Sequence, residues 1–199
     1  MTYDWIEVEQ HDGIVKLSLN DPSTLNAVNH EMNLEIASEL ERVESDDTAR
    51  LVVLTGKGDG FCSGGNIKRM TTQGKSLLPP PQPPRKELFP HLPDIGRVVH
   101  GLRSLSKPTI AAVNGPAIGS GVGIAAGCDI RIASEKARFG WVFIRRGIMP
   151  DDGSLPIITQ LIGYQRAFEW GATGRTLSAI QALEIEFVSR VVPHEDLMP

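Results

Sequence analysis

Apolar and polar residues alternate over 5–10 (WIEVEQ) and again over 14–19 (IVKLSL), on either side of His11-Asp12-Gly13. A period of two interrupted by a glycine turn predicts a hairpin of half-buried strands. The period then changes. From His30 to Glu44 the apolar positions Met32, Ile36, Leu40 and Val43 recur at helical spacing, and LVVLTG (51–56) reads as a buried strand of parallel type. The same succession returns twice. Ile95, Val98, Val99 and Leu102 mark an amphipathic segment ahead of the strand TIAAVNG (109–115), and the Ala/Gly-rich GVGIAAG leads into DIRIAS (129–134). Short helices are predicted near 153–162, 165–172 and 178–185, then a last strand, FVSRVV, ended by Pro193.

With 199 residues, 41% of them hydrophobic, the chain suits one compact α/β domain. One stretch breaks the pattern. The prolines of QGKSLLPPPQPPRKELFPHLP (73–93) cannot donate backbone hydrogen bonds, so this segment reads as a loop, either a lid or a surface insertion. The balance of 24 acidic to 20 basic residues gives net charge −4 with no block of like charges, which disfavours a nucleic-acid groove. Cys62 and Cys128 form no C-x-x-C pair, so neither a disulfide framework nor a metal site is expected. No run is long and apolar enough for a membrane span, and the expectation is a cytoplasmic protein with reduced thiols.

Three familiar motifs fail on spacing. Gly74-Lys75-Ser76 lacks the earlier glycine of a phosphate loop, because position 69 is Arg69. Gly119-Ser120-Gly121-Val122-Gly123 has the spacing G-x-G-x-G rather than that of a dinucleotide turn. Neither Ser120 nor Ser63 has glycines two before and two after it, as a nucleophile elbow requires. What survives is a pair of glycine-rich turns after apolar strands, LVVLTGKGDGFCSGGNIKRM (51–70) and TIAAVNGPAIGSGVGIAAGCDIRIAS (109–134). Such turns leave N–H groups unpaired at a helix start, which suits a developing oxyanion; turn packing alone also explains glycines there.

The two turns, with DPSTLNAVNHEM ahead of them, resemble the crotonase superfamily, the enoyl-CoA hydratase/isomerase family, through nearly the whole chain. The resemblance implies a crotonase fold of stacked β-β-α units over a core domain spanning 1–199. Family members continue beyond HEDLMP into further helices, so the C-terminal helical part is expected to be missing here. It implies an acyl-CoA thioester whose carbonyl is polarised by the N–H groups of Gly65 and Ser120. Leu25, Ala27, Gly64, Asn66, Ile67 and Phe143 would line the CoA and acyl path. No cofactor is implied beyond coenzyme A as part of the substrate, and a homotrimer or dimer of trimers is implied if the C-terminal part is present.

The reaction depends on carboxylates. Family hydratases resemble one another in two glutamates at positions matching Gly123 and Phe143, and neither residue here transfers protons. FIRRGIMPDDG (143–153) is similar to the segment in which isomerases, ring-modifying isomerases and aryl-CoA dehalogenases place an aspartate, so a ring-modifying acyl-CoA enzyme is a further alternative, and the match falls on Asp151. Capping of the following helix is then left to Asp152. Asp151 as acid and base predicts double-bond isomerisation; as a nucleophile it predicts dehalogenase-like chemistry. A hydratase with a carboxylate from elsewhere and an inactive CoA- or partner-binding relative are the rival expectations. His100, Arg145 and Arg146 are assigned no role, and Trp141 with Phe143 is expected to form an apolar wall.

Overall fold

The computed structural model describes residues 2–66 and 94–198. The Pro-rich loop expected at 73–93 and Ile67 lie outside them. The hairpin forms as its alternation requires: β1 (Ile6–His11) pairs antiparallel with β2 (Ile14–Leu19), and Asp12 and Gly13 both take positive φ in the turn. Val15, Leu17 and Leu19 of β2 are buried, whereas β1 buries only Ile6 and becomes exposed from Glu9 to His11.

Helix α1 (His30–Ser45) starts where Asn29 accepts the Met32 N–H on its side chain, and it buries Met32, Ile36, Leu40 and Val43. β3 (Leu51–Gly56) then pairs parallel with β2. Helix α2 (Asp94–Ser104) buries Val98, Val99 and Leu102 and packs on α1. β4 (Thr109–Val113) extends the parallel ladder from β3, and β6 (Ile130–Ser134) extends it from β4. The sheet closes with β9 (Arg190–Val192), giving the order β1-β2-β3-β4-β6-β9. The expected last strand is shorter than FVSRVV. Phe187 and Val188 are buried in the turn that follows Glu186, which has positive φ, and only Arg190–Val192 reach the ladder.

A second sheet has no counterpart in the periodicity. β5 (Pro116–Ile118) pairs parallel with β7 (Arg138–Gly140), which pairs antiparallel with β8 (Thr176–Ser178). Strands of three residues are too short to show a period. Helix α3 (Ser120–Gly127) runs between β5 and β6 and is buried along its whole length, while α4 (Ser154–Ile162), α5 (Tyr164–Thr173) and α6 (Ala179–Glu184) follow near the expected positions. α3 packs against both α2 and α4.

An aromatic cluster fastens the helical end. Trp170 of α5 lies 5.9 Å from Trp141 and 5.1 Å from Phe187, ring centre to ring centre, and donates Nε1–H to the Arg175 carbonyl at 2.9 Å. Trp170→Ala removes a fully buried indole, and its expected cost is about 3–5 kcal/mol, read as a lower urea midpoint for unfolding.

Candidate active site

Two turns meet backbone to backbone. The first leaves β3 and runs through Phe61-Cys62-Ser63-Gly64-Gly65; the second links β5 to α3 through Gly119 and Ser120. Phe61 N and Cys62 N both donate to the Pro116 carbonyl, at 3.1 and 3.0 Å, and Ile118 N donates back to the Cys62 carbonyl at 2.9 Å. Gly64 has φ +93° and Gly119 φ +54°, backbone that side-chain-bearing residues rarely adopt. A methyl group on Gly64 would lie 2.6 Å from the Ile118 carbonyl oxygen and 3.6 Å from Ser120 N. Glycine at 64 is what lets the two turns close.

The pairing leaves two donors over. On the far side of the first turn, Val28 N donates to the Gly64 carbonyl at 2.8 Å and Asn66 N to the Val28 carbonyl at 3.1 Å, so the ladder passes over Gly65 N. Ser120 N is the first helical N–H of α3, behind the positive end of its dipole. Among the described residues neither N–H has a backbone acceptor. Ser120 is buried and Gly65 half-buried, so an oxygen placed between them is largely withdrawn from water, where each hydrogen bond counts for more.

Of the residues expected along the acyl and CoA path, Leu25 is 39% exposed with φ +54°, Ala27 is buried, and Asn66 is half-buried beside Gly65. Phe143 is 9% exposed at the start of the 3-10 turn Phe143–Arg146, next to buried Trp141. Arg145 and Arg146 stand exposed on that turn, and half-buried His100 of α2 lies where a methyl group on Gly153 would come within 3.0 Å of its Nε2. Cys62 and Cys128 are buried, and burial pushes both thiols up to about 12. They are packing groups rather than nucleophiles.

The two aspartates of the 150–153 turn part company. Asp151 is exposed and open to a ligand, whereas Asp152 is 0% exposed. Asp152 Oδ1 accepts the Ser154 N–H at 3.1 Å and the Ser154 hydroxyl at 2.6 Å, and that hydroxyl oxygen accepts Trp141 Nε1–H at 3.2 Å. The N-cap of α4 is Gly153, without a side-chain cap hydrogen bond, and Asp152 one residue earlier satisfies the Ser154 N–H instead of capping from the expected position. Burial pushes the Asp152 carboxyl above its usual range, the Ser154 hydrogen bonds oppose this, and the Asp151 charge adds to it.

Residues 9–199 match the family described as enoyl-CoA hydratase/isomerase. The chain belongs to that family. It is 35% identical over 195 residues to 4-chlorobenzoyl coenzyme A dehalogenase-1 of an Arthrobacter species, covering 96% of this chain and 67% of that one. It is 37% identical over 185 residues to the 1,2-epoxyphenylacetyl-CoA isomerase of Escherichia coli (strain K12), covering 93% and 68%. The solved enoyl-CoA hydratase from Bacillus anthracis superposes with a TM-score of 0.84 at 31% identity, over 98% of this chain and 72% of that one. A monofunctional enoyl CoA isomerase from M. smegmatis superposes with a TM-score of 0.78, also at 31% identity, over 97% and 79%. The fold is the crotonase fold, and the protein is an acyl-CoA enzyme of the enoyl-CoA hydratase/isomerase family.

Two supporting residues of this family member escape a reading of the sequence. Asn26 is fully buried with φ +59°; its Nδ2 donates to the Lys57 and Gly60 carbonyls at 3.0 and 2.8 Å, and its Oδ1 accepts Asp21 N–H at 2.8 Å. Asn114 Nδ2 donates to the Gly58 carbonyl at 2.8 Å and its Oδ1 accepts Gly56 N–H at 3.2 Å. Together they hold the 56–60 loop from which the first glycine turn departs. The available signal was asparagine's tolerance of positive φ and its habit of bonding nearby backbone.

Because the folded chain holds Asp152 neutral more tightly than the unfolded chain does, its contribution to stability is full below the ordinary aspartate range and is lost as pH rises through the folded value. Asp152→Asn keeps the shape without the ionisation. It is expected to melt above wild type at pH 7, with the advantage shrinking as pH falls towards 3.8, measured by thermal unfolding across pH.

Proposed function

We propose that this enzyme moves a double bond within an enoyl-CoA thioester, with Gly65 and Ser120 N–H groups on the thioester oxygen and Asp151 as the proton carrier. The observation that carries the reading is the combination, among the described residues, of two N–H groups without a backbone acceptor and an exposed carboxyl, Asp151, on a turn whose next residue, Asp152, lies against Gly123 of α3. In the reaction the Asp151 carboxylate takes a proton from the α-carbon. The C–H electron pair flows into the thioester, and the enolate oxygen is held by the two N–H groups. Asp151 then returns the proton to the γ-carbon, the double bond shifts, and the carboxylate is regenerated. Water is neither consumed nor released, so the absent carboxylates at Gly123 and Phe143 are not needed.

A second reading is favoured by the 35% identity to a 4-chlorobenzoyl coenzyme A dehalogenase. There the Asp151 carboxylate attacks the ring carbon bearing chlorine, chloride leaves, and water hydrolyses the resulting ester. Both readings use the same oxyanion donors. A soluble cytoplasmic setting fits two buried free thiols, and the exposed stacked pair Tyr164 and Phe168 on α5 suits an assembly surface of the trimer type.

The test is a panel of 3-enoyl-CoA, 2-enoyl-CoA and 4-chlorobenzoyl-CoA thioesters followed by mass spectrometry in deuterated water. Wild type is expected to isomerise 3-enoyl-CoA with deuterium entering at the transferred position and no gain of water. Asp151→Asn is expected to lose about 10²–10⁴-fold in turnover with CoA binding retained. Formation of 3-hydroxyacyl-CoA as the main product sinks the isomerase reading, and release of chloride from the aryl thioester selects the second one.

A further inference from the structure

Asp152 takes no part in the proton transfer proposed above, yet its placement is demanding. One oxygen is tied down by Ser154, which Trp141 holds in turn. The other, Oδ2, is fully buried with no hydrogen-bond partner among the described residues. It lies against Gly123 of α3. A methyl group at position 123 would sit 3.0 Å from Asp152 Cγ, 3.3 Å from Ser154 Cβ and closer still to Oδ2. For packing alone an apolar side chain of the same size would serve better, since it carries no polar atom to leave unpaired. Gly123 is one helical turn beyond Ser120, and Asp152 directly follows Asp151. A contact between residues 123 and 152 therefore joins the two halves of the site.

We propose that Asp152 is a positioning residue, a carboxyl wedge between the 150–153 turn and α3 that sets the placement of Asp151 relative to the Ser120 N–H and requires glycine at 123. The inference rests on Asp151 being the proton carrier. A shift of about 1 Å between a proton carrier and its oxyanion donors costs on the order of 10²-fold in rate, so the wedge acts on kcat. The same contact excludes a side chain at 123, the position of one glutamate in the hydratases that the sequence resembles. The wedge thus also bears on which reaction the site supports.

The test is a double-mutant cycle on the full chain with Gly123→Ala, Asp152→Ala and the pair, plus Asp152→Asn, reading thermal midpoint, kcat and KM. Gly123→Ala and Asp152→Ala are each expected to lower kcat about tenfold or more with KM little changed, while Asp152→Asn stays within about threefold of wild type. The pair is expected to lose less than the two single changes combined, in midpoint and in kcat, because the methyl group enters the space the carboxyl vacates. Strict additivity in the midpoint overturns the wedge. Asp152→Asn as inactive as Asp152→Ala, with its midpoint kept, overturns positioning in favour of direct proton transfer by Asp152. Should wild type turn over no thioester, the reading of Asp151 falls, and coupled or additive midpoints alone then support or overturn the wedge.

Discussion

Everything in this site depends on two stretches of backbone lying against each other without side chains between them. The Pro116 carbonyl accepts the Phe61 and Cys62 N–H groups across the gap and the Cys62 carbonyl accepts that of Ile118, while Gly64 and Gly119 supply the conformations that let the chains touch. The donors that remain, Gly65 N and Ser120 N, have no backbone acceptor among the described residues, since this pairing takes up the neighbouring groups. A carbonyl oxygen bound there needs no side chain to be polarised, and the scaffold undergoes no reorganisation when charge develops on it. That explains why the rest of the molecule is organised to hold a loop in place. Asn26 and Asn114 fix the 56–60 segment from two sides, and α3, buried on every face, cannot shift its first turn independently of the core.

The larger sheet was legible because its strands are either alternating, as in the β1–β2 hairpin, or apolar runs bounded by turn residues, and the helices because their apolar positions fall at helical spacing. The second sheet was not. Its three strands contain three residues each and are joined only by pairing between residues far apart in the chain, so neither period nor length announces them. The shortened last strand is a related case. Phe187 and Val188 look like strand residues, but Phe187 packs edge-on to Trp170 and the N–H groups of both donate to the Ala182 carbonyl before the ladder begins.

For the site, the glycine turns were visible as turns that suit an oxyanion, and the resemblance to the crotonase superfamily narrowed the proposed donors to Gly65 and Ser120. Glycines after strands pack in the same way whether or not a ligand approaches. The adjacent aspartates were harder still, since nothing in Pro150-Asp151-Asp152-Gly153 states which carboxyl faces water. Burial separates them: the Ser154 hydrogen bonds and the desolvated environment fall to Asp152, and access falls to Asp151. Asn26 and Asn114 were hard to single out for a third reason, as their partners are backbone carbonyl and N–H groups, which leave no trace in side-chain pattern.

The division between the two aspartates has a physical logic that reaches back to the oxyanion turns. A proton carrier must be accessible, and accessibility leaves its position weakly determined, because an exposed side chain on a turn has few contacts to restrain it. A buried neighbour one peptide away restores that restraint. Asp152 achieves this by anchoring one oxygen to the first turn of α4 and pressing the other on α3, the helix that carries Ser120. The unpaired oxygen is destabilising, and the folded chain tolerates it because burial keeps the carboxyl neutral over a wider pH range than in water. On this account glycine at 123 does more than remove a hydratase carboxylate. It opens the space in which Asp152 packs, and in the proposed reaction that packing would hold the proton carrier assigned to Asp151 at a fixed place while leaving it exposed.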